Sequence, residues 1–149
     1  MLYSPETFHH QVVTPTLKEL SLYHPELALC LTAIALSPQL PVSDGFGIYQ
    51  ISRQQHRRIW DEQLATNPDL ASRVRGLASQ HRFLRDPDQE LILNPCYATA
   101  IAAHLLIPGS ESVQDIEFPQ LTQRWCHMNQ TSELTVVQNI DQLRLQLFT

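Results

Sequence analysis

Apolar residues recur at helical spacing along most of this chain. Ser4-Pro5-Glu6 offers a cap, a proline at the first helical position and an early acid, and Phe8, Val12, Val13, Leu17 and Leu20 then share one face. Pro15 inside that pattern predicts a kink or a split, and Tyr23-His24-Pro25 predicts the end of the element. The next segment, Pro25 to Leu36, has no polar face, because Leu27, Leu29, Cys30, Leu31, Ile34 and Leu36 point in every direction around a helix. Such a helix belongs in the middle of a domain. Ser37-Pro38 and Pro41 stop it and lead to Gly45-Phe46-Gly47. The short alternating run Ile48, Tyr49, Gln50, Ile51 then predicts a tight turn that presents Tyr49 and Gln50 toward a groove, with Gly47 supplying backbone freedom.

Ser52 caps a polar-apolar helix reaching about Ala65, with Ile59, Trp60 and Leu64 inward, and Asn67-Pro68-Asp69 starts another that carries Leu70, Val74 and Leu77. Arg82 to Pro87 reads as a charged connection. Leu91 to Ile107 is helical again, interrupted near Asn94-Pro95 and rich in alanine, which lets a neighbouring helix come close. Phe118 to Met128 and Leu134 to Phe148 complete the pattern, with no internal repeat. The fold class expected is all-α, or mainly α, in one domain over residues 1–149, with at most a small β-hairpin near Gly45 to Ile51.

Composition narrows the function. A chain of 149 residues, 43% hydrophobic and 17% charged, can bury a core without disulfides or metals. Its net charge of -5 argues against a nucleic-acid surface. Cys30, Cys96 and Cys126 are an odd number without a CxxC pair, so buried free thiols and a reducing compartment are expected. The start, MLYSPETFHH, lacks the basic and apolar regions of a signal peptide, and the longest apolar stretch is far shorter than the roughly 20 residues of a membrane span.

Candidate chemistry is sparse. The Gly45/Gly47 pair lacks the further residues of either phosphate-loop pattern. The seven histidines form no HExxH and no Cys/His cluster, so neither a metal nor a cofactor is expected. Arg53, Arg57 and Arg58 are followed by Asp61 and Glu62, which suits a salt-bridged, solvated face, and Trp60 and Trp125 sit among aliphatics as core residues do.

Several stretches taken together resemble one family. VVTPTLKEL at Val12 to Leu20, LTAIALS at Leu31 to Ser37, GFGIYQIS followed by HRRIWDEQL, NPCYATAIAAHLL at Asn94 to Leu106, and RWCHMNQT near the end are similar to small phage and prophage proteins with a lysozyme-like, soluble lytic transglycosylase-type domain. The resemblance covers most of the chain. It implies a groove for alternating amino sugars lined by Gly47, Tyr49 and Gln50. It also implies a glutamate, in a Glu-Ser pair at the end of the buried helix, that protonates the glycosidic oxygen; desolvation would keep such a carboxyl protonated near neutral pH.

Here the pair reads Leu36-Ser37, and leucine cannot transfer a proton. General acid catalysis commonly contributes about 10²–10⁴ in rate, so the loss is severe. Glu26 starts the same helix but stands ~15 Å away at the wrong end. Asp44, in the loop before the glycines, is the substitute to consider. The relatives' late Tyr-Asn-Thr is also eroded, with Met128, Asn129, Gln130 and Thr131 about where it should stand. Leu36 would instead extend the core beside Ile34, Phe46 and Ile48. The leading expectation is a catalytically degenerate lysozyme-like protein that serves as a structural or assembly part of a phage-type particle, in the tail or baseplate. Its partners would be other particle proteins or further copies of itself, its location the virion or the bacterial cytoplasm. Two alternatives stand beside it: an active peptidoglycan lytic transglycosylase or muramidase with Asp44 as a displaced acid, and a peptidoglycan-binding module without catalysis.

Overall fold

The computed structural model describes residues 4–36, 45–107, 117–129 and 140–148. The architecture is mainly α with one short antiparallel β-hairpin. Ser4 caps the first helix, α1 (Pro5–Phe8), by accepting from the Thr7 amide at 3.1 Å. The helix then widens into a π-helical turn, His9–Val13, and resumes as α2 (Thr14–Glu19). The interruption expected at the proline thus takes the form of this π-helical turn, which divides the α-helical run just before Pro15. Pro15 stands in the first turn of the resumed helix, where its missing N–H costs little, and the wider turn before it takes up the misfit. Ser21, with φ of 58°, closes α2, and the Leu22 amide reaches back to the Leu17 carbonyl. This is a Schellman turn with serine where glycine is usual.

α3 (Pro25–Leu36) is the expected central helix, with Leu27 through Ala35 all buried. Strands β1 (Gly45–Phe46) and β2 (Ile51–Ser52) pair in the register Gly45 to Ser52 and Phe46 to Ile51. Ser52 and Gln55 form a reciprocal capping box that opens α4 (Arg53–Arg58), which runs on through a π-helical stretch, Ile59–Leu64. Asn67 caps α5 (Pro68–Leu77). Residues expected to be a charged connection instead form α6 (Gln80–Arg85), because Ser79 accepts from the Arg82 amide as its cap. α7 (Gln89–Leu93) and α8 (Pro95–Leu106) are separated at Asn94, as the Asn-Pro pair predicts. α9 (Phe118–Asn129) and α10 (Ile140–Phe148) follow.

One hydrophobic cluster runs through these elements, from Phe8 and Leu17 through Leu27, Leu31 and Ile34 to Ile101, Leu121 and Trp125. α8, expected to be approached closely, is buried along nearly its whole length, from Tyr97 to Ala103. α10 lies against α1 and α3: Arg144 pairs with Glu26 at 3.1 Å, and the Phe148 ring meets His9 edge-on at 5.2 Å. Among the described residues no helix is long and apolar enough to cross a membrane.

Candidate functional site

The hairpin turn is built by Gly47 and Gln50. Gly47 has φ of 77° and Gln50 has φ of 52°, and the Gln50 amide closes the turn on the Gly47 carbonyl at 3.1 Å. The Gln50 side chain folds back on the same carbonyl, its Nε2 donating at 2.8 Å. A Cβ on Gly47 would lie only 1.8 Å from the Leu91 carbonyl oxygen, so the turn presses directly against the backbone of α7. Glycine is therefore needed for space as well as for φ.

Tyr49 does not face a groove. It is fully buried, its hydroxyl shares a 2.9 Å hydrogen bond with Thr99 of α8, and its ring meets Trp125 of α9 edge-on at 6.1 Å. Burial pushes its phenol pKa well up, only partly offset by the Thr99 bond. The residue that periodicity placed at the tip of the turn is turned inward because α8 and α9 offer an apolar slot with one hydroxyl in it. Leu36, the last residue of α3, is half-buried rather than sealed into the core. Of its expected neighbours Ile34 is buried, while Phe46 and Ile48 pack only partly. Ser37 and Asp44 lie outside the described residues, as do Gln130 and Thr131.

Sequence reasoning missed a buried polar network behind the hairpin. Trp60 donates from its indole Nε1 to the Tyr97 hydroxyl at 2.8 Å, and the same hydroxyl lies 2.7 Å from His56 Nε2. His56 Nδ1 lies 2.9 Å from Asp88 Oδ1, and Arg53 Nε donates to Asp88 Oδ2 at 2.9 Å. The Asp88 carboxylate can only accept, so the imidazole carries a proton on Nδ1; with the ring neutral, Nε2 accepts the Tyr97 proton, and the Tyr97 oxygen accepts from the indole. Burial lowers the His56 pKa and the contact with Asp88 only partly opposes this, which agrees with a neutral ring. A carboxylate, an imidazole and a hydroxyl in line are the parts of a proton relay, but His56, Asp88 and Tyr97 are all buried, so the relay has no access to substrate and acts as a clamp.

A second clamp holds the neighbouring corner. Glu90, fully buried, accepts from Arg82 Nε at 2.9 Å, from Asn94 Nδ2 at 2.9 Å and from the Ser79 amide at 3.2 Å. The only sequence signal for the first network was the spacing of His56 and Trp60, four residues apart and so on one helical face. Nothing in the order of residues pointed to Asp88 or Tyr97 as their partners. The salt-bridged face expected around Arg53, Arg57 and Arg58 is found at two of the three: Arg53 is bound to Asp88, and Arg58 stands 4.0 Å from Glu62 on the surface.

The three cysteines are free thiols; Cys30 and Cys126 are buried and Cys96 is partly exposed. Among the described residues no group of three or more His, Cys, Asp or Glu side chains converges as a metal site requires. No protein-family model, curated protein or solved structure matches the chain.

Proposed function

We propose that this protein is a catalytically degenerate lysozyme-like domain that serves as a structural or assembly component of a phage-type particle, in its tail or baseplate. The observation that carries this reading is the inward commitment of the hairpin. Tyr49 is spent on Thr99 and Trp125, Gln50 on its own turn, and Gly47 on the backbone of α7. In an enzyme of this type the same residues would be offered to a glycan. Leucine at the end of the buried helix supports the reading independently, since no proton can be delivered from that place. The order of a buried helix, a hairpin and a capped helix is compatible with the lysozyme-like arrangement that the sequence resembles.

A docking block needs rigidity rather than an open cleft, and the two buried clamps at Asp88 and Glu90 supply it by tying α4, α6, α7 and α8 together. The test is fractionation of particles from the strain that carries the gene, with the protein measured by mass spectrometry against known tail components. Co-sedimentation at a constant ratio to those components is expected. A protein found only in the free fraction, as a monomer, contradicts the proposal.

A further inference from the structure

The corner held by His56 is satisfied at one proton count only. With the imidazole neutral, Trp60 donates to Tyr97, Tyr97 donates to His56 Nε2, and His56 Nδ1 donates to Asp88, so every donor in the relay has an acceptor. Two features of the geometry oppose a second proton on the ring. A proton on Nε2 would turn that nitrogen into a donor facing the Tyr97 oxygen, which already takes the indole N–H. The Tyr97 proton would then be buried without an acceptor, because His56 and Trp60 are the hydrogen-bond partners of its hydroxyl among the described residues. Charge is the second obstacle: Arg53 already compensates Asp88 at 2.9 Å, so a cationic ring would stand in excess. The remaining charged groups around the corner give no relief. Arg57, on the same helix, opposes a cation at His56, and Arg75 of α5 lies 4.2 Å over the Phe83 ring. Glu90 of α7, which acts on Tyr97, is already engaged by Arg82, Asn94 and the Ser79 amide.

We propose that His56 is a proton-operated latch: uptake of a proton at Nε2 undoes its bond to Tyr97 and frees α4 with its π-helical extension, residues 53–64, from α7 and α8. The hairpin before α4 stays in place, because Tyr49 fixes it to α8 and α9. Trp60 covers Phe83 with ring centroids 5.5 Å apart, and Phe83 meets Tyr97 at 6.0 Å, so opening bares an aromatic surface. The direction of the switch follows from linkage. In the open corner the imidazole is solvated and titrates near the ordinary value of about 6.5, while in the closed corner burial holds it lower. The latch is therefore closed above about pH 6.5 and opens as pH falls toward the lowered value of the closed state. It is a property of the fold and stands apart from the particle role proposed above.

The test records nitrogen NMR spectra of the histidine rings of the whole chain from about pH 7.5 to about pH 4.5, with His56 assigned by its absence in His56→Gln. Amide hydrogen exchange is followed beside it over residues 53–64 and over α9. The expected result is a ring proton on Nδ1 at the upper end and a His56 midpoint below about 6.5. Protection over residues 53–64 should be lower than in α9 and should fall by up to about tenfold for each pH unit below that value. His56→Gln, which cannot titrate, should remove this local fall. Arg53→Gln strips Asp88 of its compensating charge, so it should raise the His56 midpoint by about one pH unit. The proposal is overturned by a neutral ring protonated on Nε2, or by a midpoint at or above about 6.5. Protection over residues 53–64 equal to that of α9 at every pH would mean that the corner opens only with the whole molecule, which also overturns it. So would a local fall that persists in His56→Gln, or a midpoint left unchanged by Arg53→Gln.

Discussion

Tyr49→Phe separates a structural hairpin from a glycan-binding one. Phenylalanine keeps the ring and its contact with Trp125, so no large cavity opens, and the change comes down to one hydroxyl buried 2.9 Å from Thr99 Oγ1. Removing it breaks a buried hydrogen bond and leaves the Thr99 hydroxyl to find another partner in a fully buried position. The expected loss is about 1–3 kcal/mol. For a chain of this size that corresponds to a fall in Tm of roughly 2–10 °C. Adding Thr99→Val removes the stranded partner at nearly constant shape, so the double variant should recover part of the loss, and the cycle gives the coupling between the two hydroxyls. Urea and thermal unfolding followed by circular dichroism, with chitooligosaccharide titrations beside them, make the test. An unchanged Tm together with weakened glycan binding in Tyr49→Phe would refute the inward reading of the hairpin.

Other expectations follow from the same geometry. Burial holds His9, His56 and His104 below the usual imidazole pKa, with the neighbouring His10 adding to the effect at His9, Asp88 partly opposing it at His56 and the Ala100 carbonyl partly opposing it at His104. The folded state therefore binds fewer of these protons than the unfolded chain, so their contribution is complete above about pH 6.5 and is lost as pH falls toward the lowered folded values. Thermal melts from pH 7.5 to pH 5 should show this decline, and His104→Leu, which removes a ring nitrogen buried without a partner among the described residues, should make it shallower. Gly47→Ala must place a Cβ against the Leu91 carbonyl at positive φ and should cost more than about 2 kcal/mol in urea unfolding. Ser21→Gly relieves a left-handed residue in the turn after α2 and should stabilise by about 1 kcal/mol, read as a higher urea midpoint with an unchanged slope.

Local signals in the sequence carried most of the fold. The Ser4, Ser52 and Asn67 caps and the Asn94-Pro95 break stand where their chemistry put them, because each acts within a few residues of itself. The helix at Gln80–Arg85 was hidden because its charged surface carries no apolar stripe, and only the Ser79 cap marked it. Pro15 marked an interruption but not its form: a proline forbids one hydrogen bond, and a π-helical turn takes up that loss between two α-helical runs. The site was less legible. Alternation placed Tyr49 and Gln50 at a turn correctly, but which side of the turn is buried depends on α8 and α9, whose residues lie about fifty or more positions away. The clamp on Asp88 was invisible for the same reason, since His56 meets its partners only when α4 packs beside α7 and α8. Leu36 was legible as a residue without proton chemistry, while its partial exposure was not.

The central claim is tested most directly by release of soluble muropeptides from purified peptidoglycan by the wild-type protein, with Leu36→Glu and Asp44→Asn run beside it. The proposed reading, with leucine at position 36 and the hairpin turned inward, predicts no release by the wild type, whether or not a carboxyl placed at position 36 produces some activity. Release by the wild type that Asp44→Asn abolishes would contradict the account and make this protein an enzyme with a displaced acid.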